Sequence, residues 1–331
     1  MTTTTTPWHG IGTEVHANAN LLEDTGLDWT IEQRPLYLGE TVNKWTADGV
    51  GPASVPTESL VESHVANYRS DTEEVLAVVG AGYEVFQNDE LAALVEAVEE
   101  GGEAKVESAL SLRDGRDVFF LMKNSSFELP GEDEMHTYHI FGNNHAGERS
   151  IYCLPTSVRV WCSNMLNAVY KQSVGGFKIR HTSSMKARVE DAIEQIKRSK
   201  KAAEGFRRAC ERLAAKRLSL TEVRDYWDTV YFKQYGPLPE ETDDMTQGDR
   251  SKITRHEDIK NEWSLALSNE RGRTEDHMNA WTALNSITEW VDHGRTVRGE
   301  KSGNEMRIHS NVLGSAAKMK AMALNEALAL V

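Results

Sequence analysis

The sequence has few of the features that assign a protein to a class quickly. It holds only three cysteines, Cys153, Cys162 and Cys210, and no Cys-x-x-Cys pair, so neither a disulfide framework nor a thiolate zinc site is indicated. No run of about 18 apolar residues occurs, which leaves no candidate for a transmembrane helix and no expected membrane partner. The first seven residues are a threonine run ending at Pro7; lacking a basic segment and an apolar core, they do not read as a signal peptide. The expected compartment is the cytoplasm, that of a host cell if the gene is mobile. Positive charge is scarce and unevenly spread. The chain carries a net charge of −14, residues 1–150 carry 8 Lys/Arg against 27 Asp/Glu, and residues 178–217 carry 13 against 5. A basic block inside an acidic chain can hold phosphate, while the acidic remainder limits non-specific sticking.

The 331 residues suffice for one large domain or two ordinary ones with a buried core. Alternation predicts strands at Trp29–Tyr37, His64–Arg69 and Val75–Val79, with Val55–His64 as loop or edge. Leu91, Leu94, Val95 and Val98 share a helical face over Asn88–Glu100, which Gly101-Gly102 ends. Asp114-Gly115 predicts a hairpin between Lys105–Leu112 and Asp117–Lys123. A second hairpin joins His136–Phe141 to Ile151–Leu154 across a polar loop, and its histidines, His136, His139 and His145, read as solvated rather than metal-bound.

The most informative stretch is Val158–Thr182. Val158, Val160 and Cys162 alternate as a strand does, Met165, Leu166, Val169 and Tyr170 fall at helical spacing, and Gly175-Gly176 precedes a short strand over Phe177–Arg180. Arg159, Asn164, Lys178, Arg180, His181 and Thr182 would then converge near one end of a sheet, with charge and neutral donors suited to an anion. Trp161 could stack on a base.

Met185–Leu213 keeps a three-or-four apolar spacing, interrupted near Ser199, and Lys197, Lys200, Lys201, Arg207 and Arg208 crowd its other faces. These cations suit either a solvated helix face or a phosphate-binding one. Ser219-Leu220-Thr221-Glu222 is a capping box opening a helix with Tyr226, Trp227, Tyr231 and Phe232. Residues 236–249 read as a flexible acidic loop. Helices are expected over Thr274–His293 and Ser310–Leu330. In the first, Glu289, Asp292 and His293 are the best candidates for a divalent ion, although Arg295 and Arg298 offer the carboxylates ion pairs instead.

The expected fold is α+β, a largely antiparallel sheet in the N-terminal half and a helical C-terminal half. Residues 1–182 form the sheet-rich region with the polar junction, and residues 183–331 the helical region packed on it.

Trp8-His9-Gly10-Ile11-Gly12, the run Arg159 to Asn164 with Arg180-His181-Thr182, and Trp281, Asn285, Thr288-Glu289, Asp292-His293 and Arg295 together resemble the phage/plasmid-like protein family. That family is catalogued as domain-of-unknown-function family 932 and is carried by phages, prophages and plasmids. The resemblance implies a setting in DNA replication, recombination or counter-defence, and carries over no catalytic residue. The leading expectation is a DNA-binding protein, similar in layout to single-strand annealing proteins, forming a homo-oligomer on single-stranded DNA and needing no cofactor. The rivals are an enzyme and a non-enzymatic protein acting on a host factor. The enzyme would be a metal-dependent nuclease using Glu289, Asp292 and His293, or would use Cys162 with His181 and Asn164 as a nucleophile site.

Overall fold

The computed structural model describes residues 13–15, 20–45, 52–102, 104–130, 133–159, 164–167, 176–189, 191, 200–270, 278–295 and 303–331. The Trp8–Gly12 motif, Trp161, Cys162, Lys197 and Arg298 lie outside these. The fold is α+β: antiparallel sheets fill the N-terminal half and helices most of the C-terminal half.

Among the described residues ten strands build two sheets. β2 (Ile31–Trp45), β3 (Pro52–Arg69) and β4 (Val75–Gly80) make the smaller one. The larger takes the order β1-β5-β6-β7-β8-β10, with β9 also paired to β8. Its strands are β1 (Thr13–Glu14), β5 (Lys105–Leu112), β6 (Asp117–Leu129), β7 (Asp133–Asn144), β8 (Ile151–Arg159), β9 (Asn164–Asn167) and β10 (Phe177–Ile179). The Asp114-Gly115 hairpin forms as expected. Its turn holds Arg113 and Asp114 at φ 55° and 61° and Gly115 at 99°, the left-handed region that a tight reversal needs.

Strand alternation sends Val106, Val118, Phe120, Phe141, Ile151 and Cys153 to one face of the large sheet. There they pack under α1 (Leu21–Thr25) and α2 (Asn88–Glu100). Phe119, Leu121, Ile140 and Tyr152 go to the other face and meet Ile308 and Val312 of α7 (Gly303–Leu313). At the far end of the β6–β7 hairpin, Leu129 and Met135 join a third core made by the remaining helices. These are α3 (Lys200–Ala215), α4 (Leu220–Tyr235), α5 (Gln247–Asn269), α6 (Ala280–Glu289) and α8 (Ser315–Leu328). Trp227, Trp263 and Trp281 are buried at its centre, each such side chain contributing about 1.5–3 kcal/mol or more. Among the described residues no helix is long and apolar enough to cross a membrane.

Of the two readings of Val55–His64, loop or edge, the edge holds: the segment is part of β3, with Val55–Val61 paired to β2 and no strand on their other side among the described residues. Three expectations need correcting. Met165 and Leu166 lie on strand β9, because pairing with β8 satisfies their backbone where helical spacing suggested a helix. The last helix is two: Gly314 breaks it, and a Cβ there would meet the Ser310 Cα at 2.8 Å. Residues after Met245 leave the acidic connection, since Thr246 and Asp249 form a capping box that opens α5.

Candidate nucleic-acid interface and the polar hub behind it

β10 exists because Phe177 and Ile179 drop into the α2-side core while pairing with Cys153 and Ile151 of β8. Pleating therefore turns Lys178 and Arg180 to the opposite face, where both are exposed. Neither forms an ion pair among the described residues. Lys178 is the register partner of Tyr152, so the two side chains project from the same face of neighbouring strands. Thr182 and Arg188 continue the exposed polar surface past the strand end.

His181 turns inward. Its ring stacks on Tyr83, centroids 4.5 Å apart, and Nδ1 donates to the Glu84 carbonyl at 3.0 Å. The Glu84 N–H donates back to the His181 carbonyl at 3.3 Å. Burial lowers the His181 pKa, so the ring is neutral and anchors the strand end.

Behind this edge, the connection from β7 to β8 is pinned by polar residues from four directions. Asn143 donates to the Phe86 carbonyl at 2.6 Å, Tyr83 donates to the Asn144 carbonyl at 2.9 Å, and Asn67 donates to the His145 carbonyl at 2.7 Å. The Asn144 amide donates to Asp117 at 2.7 Å. Asp117 is fully buried and also accepts from Arg113 at 3.1 Å and Arg149 at 3.3 Å, with His309 Nε2 at 3.8 Å. Arg113 grips Glu148 through two bonds of 2.7 Å. Three donors therefore hold Asp117, which makes it a fixed acceptor at the centre of the hub. Burial and the Asp117 charge hold the Tyr152 phenol protonated, far above its ordinary range.

The solvated reading of the histidines is corrected by this hub. His139 and His145 are buried, and only His136 on β7 keeps part of its ring in solvent beside Glu134. His145 hydrogen-bonds Asn88 at 2.9 Å, and Asn88 gives both amide protons to the Leu27 and Trp29 carbonyls. Asn88 Oδ1 is therefore the acceptor and His145 Nε2 carries the proton.

The other expected residues do not join β10. Asn164 pairs with Arg159 near the end of β8, eight residues from Ile151, the partner of Ile179, which is about 27 Å along a strand. Asn164 and His181 are accordingly not neighbours, so the nucleophile arrangement is not assembled. Strand β9 packs instead against α6 and α8. On α3, Arg207 is tied to Glu204 and Glu211 at 2.8 and 2.9 Å, and Arg208 to Glu204 at 3.3 Å; Lys200 and Lys201 stand at its first turn.

The family model described as Domain of unknown function (DUF932) matches residues 75–312. The chain belongs to that family. No curated protein and no solved structure matches it. In this DUF932 chain the matched segment holds β10, the Asp117 hub and α6, whereas β2 and β3 precede it.

Glu289, Asp292 and His293 lie where α6 runs on into a π-helical turn, Trp290–Gly294. Asp292 is fully buried with its carboxylate 2.6 Å from the equally buried Lys320 Nζ on α8, while Glu289 is partly buried and His293 exposed. Among the described residues no group of three His, Cys, Asp or Glu is placed to hold a metal ion. Asp292 thus forms an ion pair across helices with Lys320, 28 residues away, a partner other than the expected Arg295 and Arg298. Arg295 reaches Ser315. Sequence reasoning missed Asp117, Tyr152, Arg149, His309 and Lys320. The one advance signal was the density of Asn, His and Arg between Gly142 and Ser150.

Proposed function

We propose that this DUF932 protein binds nucleic acid, holding a single DNA strand along the β10 edge. Lys178 and Arg180 contact successive phosphates, Thr182 donates a hydrogen bond beside them, and Arg188 extends the track. The observation that carries this reading is a pair of exposed cations two residues apart on an edge strand, without acidic partners among the described residues, at the start of the basic block of an otherwise acidic chain. Their positions are about 6.7 Å apart along the strand, which suits charge-on-charge contact with an extended backbone. The α3 arginines support it less, since their carboxylate partners compete with phosphate. The likeness to phage and plasmid proteins favours recombination or replication as the setting.

Fluorescence anisotropy of a labelled single strand across a salt series, with duplex of equal length as comparator, tests it. Wild type is expected to bind the single strand more tightly and with strong salt dependence. Removing both contacts in Lys178→Ala/Arg180→Ala should flatten the log–log salt slope by about 1.4, at roughly 0.7 per phosphate contact. Binding indifferent to salt, or a double variant with unchanged slope, would overturn the reading.

A further inference from the structure

Beyond the bulge at Pro35/Leu36, β2 and β3 leave the body of the protein as a two-stranded ribbon. β4 pairs only with His64–Tyr68 of β3, so Leu36–Trp45 and Pro52–Val61 have no other strand beside them among the described residues. Ten residues of strand extend about 33 Å. An isolated ribbon of this kind is marginal in water, and its open edge invites pairing. Its surface is apolar as well. Tyr37, Leu38 and Leu60 are 57, 55 and 54 % exposed, and Tyr37 lies directly opposite Leu60. Among the described residues, the exposed large hydrophobic side chains number ten, and Val75 and Val78 of β4 bring this one small sheet's share to five. A surface feature of that concentration marks an interaction site.

The charge pattern of β2 names the occupant. Arg34 stands three residues before Tyr37, Glu40 three after, and Leu36 and Leu38 flank the centre. When two such strands run antiparallel about Tyr37, position 34 of each copy lies opposite position 40 of the other, and position 36 opposite position 38. Two acid–base pairs then bracket an apolar centre. A sequence whose charge inverts about its own midpoint is complementary to itself, which a two-fold contact requires. Nucleic acid is a poor occupant, since Glu58 is exposed on the ribbon and Glu32 and Glu62 on the same two strands at its base.

We propose that the β2–β3 ribbon is a dimerisation arm, joining a second copy of this chain by antiparallel β2–β2 pairing centred on Tyr37. In the single chain the Arg34 guanidinium lies 3.3 Å from Glu32 and 3.6 Å over the Tyr68 ring. It is half exposed there, and the second copy's Glu40 position adds a partner across the new strand pair. This inference stands independently of DNA binding at β10.

Light scattering and sedimentation of the full chain over a concentration series test it. Wild type is expected to be a dimer, with Glu40→Arg and Arg34→Glu each weakening the dimer by about tenfold or more. The swapped double variant Arg34→Glu/Glu40→Arg should recover it, which a merely structural role for either residue does not explain. Leu38→Lys, placed outside all three cores, serves as an independent disruption, and unchanged circular dichroism melts establish that each variant folds. A monomeric wild type at every concentration, or a dimer indifferent to the single changes and to Leu38→Lys, overturns the proposal. A double variant no better than the singles overturns the register and with it the two-fold arm.

Discussion

His145 has one protonation state available to it in the folded chain. Nε2 donates to Asn88 and Nδ1 has no hydrogen-bond partner among the described residues, inside a site with no exposure. Burial, with repulsion from His181 when that ring is itself protonated and from Arg69 behind it, pushes the pKa down to about 3 from 6.5. The unfolded chain therefore takes up a proton that the folded chain refuses, and stability is lost as pH falls below 6.5 and on towards 3. By pH 5 this single group should cost roughly 2 kcal/mol, and His181, shifted the same way, adds to it. Urea titrations between pH 7 and 5 should show the fall, and His145→Gln, which keeps an N–H donor but does not titrate, should flatten it. Gly142 sets a second constraint of this size. It faces Tyr152 across the β7–β8 pair, and a Cβ would meet the Tyr152 ring at 2.3 Å. Gly142→Ala should destabilise by about 1–3 kcal/mol or more, because that ring is boxed in and cannot swing away; the same titrations at pH 7 read it.

Among the elements, the π turn after α6 and helix α8 are joined by a fully buried ion pair, Asp292 to Lys320. Lys320→Met takes from the buried Asp292 the cation 2.6 Å away and should lose about 3–5 kcal/mol. Asp292→Asn/Lys320→Met should recover most of that loss in chemical denaturation. Asp292 stood out beforehand but its partner did not, since nothing in the spacing of residues 292 and 320 links them. What could be read were elements whose signal is local. α2 follows from Leu91, Leu94, Val95 and Val98 with its Gly stop, α4 from the Ser219–Glu222 box, and β5–β6 from Asp114-Gly115. Elements decided by distant partners were misread or missed. β9 looks helical until β8 lies beside it, and α5 shows only Ile259, Trp263 and Leu267 as a sparse buried stripe. The ribbon escaped because exposure on both faces removes the alternation that betrays a strand. The site followed the same rule: Lys178 and Arg180 stood out on their own strand, whereas the Asp117 hub draws on residues from 113 to 309.

At the scale of the whole molecule, the two proposals make a joint demand. A strand edge with few phosphate contacts binds weakly in physiological salt, because each contact brings only a modest electrostatic gain. A two-fold dimer carries two such edges, and a strand long enough to reach both binds the second one intramolecularly. The net negative charge of the chain as a whole sharpens this, since it repels DNA that is not on the track. Affinity for a short oligonucleotide that occupies one edge should then be the same for wild type and for the arm variant Glu40→Arg, which leaves β10 untouched. Affinity for a long one should fall by about tenfold or more in Glu40→Arg and return in Arg34→Glu/Glu40→Arg. Anisotropy with the two lengths at one salt concentration separates the cases. Equal loss on both lengths would mean that the arm acts on the binding edge itself, and equal affinity on both would mean that the two edges of a dimer cannot be reached by one strand.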